Sequence, residues 1–114
     1  MIEKLIDRVF KARNAAHARH WTTDSYAQHE ALGDFYDDVI EALDKYVESH
    51  QGVFGQLKKA PQEVPDVAEL LRDDILWLTE NRSGVSAGVP MLENIIDEMT
   101  AVYTRALFKI ENLR

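Results

Sequence analysis

Apolar residues at Ile2, Leu5, Ile6, Val9, Ala12 and Ala16 recur every three or four positions, and the same face reaches His20. That period predicts a first amphipathic helix with His20 on its inner side near the end. Ser25-Tyr26-Ala27-Gln28 has the form of a capping box, in which Ser25 accepts the Gln28 amide and the Gln28 side chain reaches back. A second helix over 26–50 follows, with a seam of Leu32, Tyr36, Val39, Ile40, Leu43 and Val47 and with His29 at its head. Asp66 and Glu69 open a third helix, whose inner face carries Val67, Leu70, Leu71, Ile75, Trp77 and Leu78 and which Ser83-Gly84 is expected to stop. Pro90 suits the first position of a fourth, along which Leu92, Ile95, Ile96, Met99, Val102, Tyr103, Ala106, Leu107 and Ile110 form the seam. No β alternation interrupts this pattern.

Four amphipathic helices in 114 residues predict an all-α fold, a four-helix bundle forming a single domain over 1–114. The connection over 51–64 is longer than an antiparallel helix turn needs. Extended, it spans about 45 Å at roughly 3.3 Å per residue. The second helix, at 1.5 Å per residue, is about 37 Å long. The chain can thus return along the bundle, which permits a ferritin-like long crossover between helices two and three.

Composition narrows the function. The excess of 20 Asp+Glu over 13 Lys+Arg, a formal net charge of −7, repels phosphate backbones and argues against nucleic-acid binding. Without cysteine, thiolate metal sites and thiol catalysis are excluded. No apolar run approaches the roughly 20 residues that cross a bilayer, and MIEKLIDRVFKAR is too charged for a signal peptide, so a soluble protein is expected. No serine stands in a recognisable relation to a histidine and an acid, and SGVSAGVP over 83–90 lacks the lysine of a phosphate-binding loop.

The second helix carries the chemistry. Glu30, Asp34, Asp37, Glu41, Asp44 and Glu48 fall within an arc of roughly 80° at 100° per residue, with Lys45 the only Lys or Arg on that helix. A solvated face is one reading. Yet like charges at i,i+4 repel, and Asp44 and Glu48 lie toward the C-terminal end, where the helix dipole disfavours anions. A bound cation would offset both effects. Hard oxygen donors with imidazoles suit iron, manganese or zinc, and His17, His20 and His29 supply imidazoles near the first interhelical turn. A di-iron centre within one bundle uses Glu-x-x-His motifs, and there is none here. Asp74 lies on the inner face of the third helix, either as an isolated ligand or as an acid bonded to Tyr or Trp.

The run His20-Trp21, His29-Glu30 with Leu32 and Phe35, and Leu43-Asp44 with Glu48 resembles the signature of the Dps-like branch of the ferritin superfamily. The resemblance covers roughly residues 9–50 and implies a ferroxidase site shared between two subunits. His20 and His29 would come from one chain and Asp44 and Glu48 from its two-fold mate, with Asp37 and His17 as weaker candidates. It implies Fe as the metal, with Zn or Mn as alternatives, and a homo-oligomer, a dimer at least and a cage at most. Where the family has an Asp four residues after the second histidine, this chain has Gly33. The family's Lys-rich DNA-holding extension has no counterpart ahead of the first helix. The short chain resembles Dps-like proteins encoded by bacteriophages, which implies a host-cytoplasmic or virion location. It also leaves open a noncatalytic structural or interaction protein of the same ancestry.

Overall fold

The computed structural model describes residues 1–58 and 65–113. Among them are four helices and no strand: α1 (Ile2–Thr22), α2 (Tyr26–Phe54), α3 (Val67–Ser86) and α4 (Pro90–Asn112). The all-α class expected from periodicity is therefore correct. The helices fall into two units, Met1–Glu63 with α1 packed on α2 and Val64–Arg114 with α3 packed on α4.

In the first unit, Ile6 and Ala16 of α1 and Leu43 of α2 are buried. A fully buried leucine contributes about 1.5–3 kcal/mol through the apolar surface it removes from water. The turn between the helices is only three residues long, Thr23 to Ser25, so α1 and α2 must run antiparallel. Ser25 caps α2 as expected, its hydroxyl accepting the Gln28 amide at 3.2 Å. The reciprocal half of the box is not made. The Gln28 side-chain carbonyl instead accepts the Thr23 hydroxyl at 2.8 Å, and the Ser25 amide donates to that hydroxyl at 3.2 Å. Thr23 has taken over the role that a capping box gives to the third helical residue.

Two helix ends differ from expectation. α2 continues through Gly52 to Phe54 and stops at Gly55, whose φ of 91° leaves the helical region. The connector is correspondingly shorter than 51–64. Residues 59–64, on which much of the crossover rests, lie outside the described residues. α3 runs past Ser83-Gly84 to Ser86, because a glycine inside a helix weakens it without ending it. What ends α3 is a Schellman turn: the Gly88 amide donates to the Ser83 carbonyl at 3.1 Å and the Ala87 amide to the Gly84 carbonyl at 3.4 Å. Ala87 occupies the left-handed position at φ 51°. Ser86, only 2% exposed, is small enough to let the chain turn closely into α4, and Pro90 then opens α4 at its first turn as expected.

Polar side chains set the register of α3 on α4. Arg82 grips Asp97 with two bonds, Nε to Oδ1 at 2.7 Å and Nη2 to Oδ2 at 2.8 Å. Its Nη1 also reaches Glu93 at 3.2 Å, and the Ser83 hydroxyl donates to the same carboxylate at 2.8 Å. Farther along, the Tyr103 hydroxyl donates to Asp74 Oδ2 at 3.0 Å, and Arg72 pairs with Glu111 at 2.7 Å. Of the two readings for Asp74, the structure shows the one with a tyrosine partner. That bond, together with partial burial, raises the pKa of the Tyr103 hydroxyl above its ordinary value. Several seam residues are more open than expected: Trp77 is 54% exposed and Val102 57%. Two helices bury only the strip along which they meet.

Two tests follow from this unit. Ala87→Gly relieves a left-handed alanine and is expected to raise unfolding free energy by about 0.5–1 kcal/mol in urea titrations. The Arg82 hydrogen bonds hold the Asp97 carboxyl below its ordinary range, so this pair adds stability above the unfolded-state value and loses it as pH falls through the folded-state one. The penalty of Asp97→Asn, measured by urea titration against pH, should be full above about 4 and shrink below it.

Candidate metal site

His20 lies in the last turn of α1 and His29 in the first turn of α2, and the short turn folds them onto each other. The rings stack with centroids 3.6 Å apart and planes 19° from parallel. Each ring bonds the other residue's backbone. His20 Nδ1 lies 2.6 Å from the His29 carbonyl, and His29 Nδ1 lies 2.8 Å from the His20 carbonyl. A carbonyl oxygen has no proton to give, so Nδ1 donates in both bonds. In the neutral imidazoles this leaves Nε2 of each ring as an unprotonated donor atom. Anchoring of one ring nitrogen on a backbone carbonyl is how metal-ligating histidines are commonly oriented.

The His20 carbonyl belongs to the last turn of α1, where carbonyls lack intrahelical partners, so His29 also serves as a side-chain cap. The His20 ring that reaches the His29 carbonyl lies close over position 33 of α2, which is a glycine. A Cβ there would stand 3.2 Å from His20 Cε1 and 3.4 Å from Nδ1.

Around the pair, an open groove is lined by His20, His29, Glu30, Gly33, Asp34 and Asp37. Glu30 accepts the Tyr26 hydroxyl at 2.8 Å. The remaining stripe carboxylates, Asp34, Asp37, Glu41, Asp44 and Glu48, are exposed and form no ion pair among the described residues. His17 faces a different neighbour. Its ring lies flat on Tyr36 at 4.0 Å and 15°, and tilts against Trp21 at 4.3 Å, while the Arg13 guanidinium sits 5.4 Å from the Tyr36 centroid. Tyr36 also meets His20 edge-on at 5.3 Å, so it links the two aromatic groups.

The expected ligands do not converge within one chain. Positions 29 and 44 are 15 residues apart on the same helix, about 22 Å along its axis, which places Asp44 and Glu48 far from the histidines. Among the described residues, no three His, Asp or Glu side chains come close enough to hold one ion. Sequence reasoning found His20 and His29 and missed two supports, the Tyr36 ring and the open space at Gly33.

Residues 20–110 match the profile of DUF5856, described as a family of unknown function. The chain belongs to DUF5856. The match begins at His20 and takes in His29 and the whole acidic stripe. This DUF5856 chain is also similar to the "Uncharacterized 14.6 kDa protein in mobD-ri intergenic region" of Enterobacteria phage T4, at 26% identity over 96 residues. That alignment covers 81% of this chain and 73% of the phage protein. No solved structure matches the chain. No helix among the described residues is long and apolar enough to cross a membrane.

The ring–carbonyl exchange predicts energetic coupling. His20→Ala and His29→Ala should each destabilise the first unit, and the double variant by less than their sum. A double-mutant cycle read by urea unfolding is expected to show about 1–2 kcal/mol of coupling.

Proposed function

We propose that this chain is a metal-binding protein of Dps-like, ferritin-like character that takes up Fe(II) between two copies of itself. The observation that carries the reading is the paired imidazole–carbonyl bonding, which presents two Nε2 lone pairs beside a helix rich in unpaired carboxylates. His20 and His29 of one copy would supply the nitrogen donors. Asp44 and Glu48, too distant along α2 to serve the same chain, would supply oxygen donors to the second copy. Asp37, Asp34 and Glu30, in the groove with the histidines, are the candidates for the oxygen donor that Gly33 does not provide. His17, already stacked on Tyr36, contributes packing.

In this reading iron is cargo, and its oxidation by peroxide or dioxygen is the reaction to assay. Zn(II) and Mn(II) satisfy the same mixed nitrogen and oxygen donors. The reading includes the ferritin-like four-helix bundle expected from the sequence. The similarity to a phage protein supports a host-cytoplasmic or virion setting.

A second reading is a noncatalytic helical protein that keeps the dimer surface and binds no metal. It is favoured by the lack of a three-ligand cluster within one chain among the described residues.

Anaerobic Fe(II) titration with iron counted per chain, alongside sedimentation, separates the two. Saturable binding by a dimer is expected. Affinity should fall at least about 100-fold both in His20→Ala/His29→Ala and in Asp44→Ala/Glu48→Ala. Equal uptake by wild type and the carboxylate variant would remove Asp44 and Glu48 from the site. No uptake by any of the three would leave the structural reading.

A further inference from the structure

We propose that Gly33 is a positioning residue, whose missing side chain seats the His20 imidazole against α2 and thereby aims its Nε2. The geometry follows from helix construction. A helical carbonyl points toward the amide four residues on, so a ring that donates to the His29 carbonyl must lie alongside position 33. Cα–Cβ bonds tilt toward the helix N-terminus, so a side chain at 33 would project toward that ring. The distances bear this out: a Cβ would meet Cε1 at 3.2 Å and Nδ1 at 3.4 Å.

The tight approach is to Cε1, the carbon that joins the donor Nδ1 to Nε2, while Nδ1 itself is at ordinary contact distance. Relieving it by a few tenths of an ångström tilts the ring, which strains the bond to the His29 carbonyl and swings Nε2. Gly52 and Gly84 also lie within helices, and a Cβ at either meets nothing within 4 Å. Of these three helical glycines, Gly33 is the one whose space is taken by another residue. Glycine is unfavourable in a helix interior relative to alanine, so the position carries a local penalty that the His20 seat explains.

The geometry stands by itself, and its consequence for metal binding rests on the reading above. The test compares wild type with Gly33→Ala in the metal-free protein at pH 8, where long-range 1H–15N correlations report which ring nitrogen carries the proton. Wild type should show the Nδ1–H form at both His20 and His29. In Gly33→Ala, His20 should shift toward the Nε2–H form that free side chains favour, while His29 keeps its form. The melting temperature should stay level or rise, since alanine is the better helix former, which separates positioning from loss of fold. Zn(II) affinity, by competition titration, should fall about 10-fold.

An unshifted His20 tautomer in Gly33→Ala, or a wild-type His20 without the Nδ1–H form, overturns the proposal. A shifted tautomer with unchanged Zn(II) affinity overturns it too, and reduces Gly33 to a packing position. If wild type binds no Zn(II), the metal reading falls on its own, and the tautomer comparison alone decides for or against the seat.

Discussion

The first unit depends on an exchange of two hydrogen bonds, each joining the imidazole of one helix to the backbone of the next. A three-residue turn leaves α1 with unpaired carbonyls just where α2 begins. His29 satisfies one of them, and His20 returns the bond to the first turn of α2. Because the acceptors are backbone atoms, the register of α1 on α2 is tied to the rings, and the rings are tied to each other by stacking. Gly33 provides the space for this contact, and Tyr36 closes its side with an edge-on ring.

The same exchange gives the unit a chemical direction. Both Nδ1 atoms are occupied, so in the neutral rings both Nε2 atoms are presented at the end of the hairpin beside Glu30, Asp34 and Asp37. Farther along α2 the carboxylates continue exposed, forming no ion pair among the described residues although Lys45 lies on the same helix, and helix rigidity keeps them from bending back toward the histidines. A rod of this kind displays donors at both ends of one face and cannot bring them to one point. In the reading proposed above, convergence would require a second copy, so a test of metal binding is also a test of self-association.

The second unit is held differently. A bidentate Arg82–Asp97 pair, a Tyr103–Asp74 hydrogen bond and an Arg72–Glu111 pair fix where α3 meets α4. Exposed ion pairs of this sort add modest stability, and their larger effect is directional: each has one geometry, whereas an apolar seam can slide by a turn. Leu78 supplies the buried apolar anchor, while Trp77 and Val102 remain open to solvent.

The period of apolar residues determined that this chain is helical, how many helices it has, and where Ser25, Asp66 and Pro90 begin them, because caps and amphipathic spacing act within a few residues. The same local information marked His20 and His29 as inner-face residues and the α2 carboxylates as one stripe. Helix ends were less legible. Ser83-Gly84 reads as a stop, yet α3 ends only where Ala87 and Gly88 take a positive φ, and α2 runs on to Gly55 with its φ of 91°; both ends depend on where the chain must go next. Ring stacking, Nδ1–carbonyl exchange and the occupied space over Gly33 were decided by tertiary structure alone. Each depends on the distance between two helices, and a pattern of residue types carries no distances.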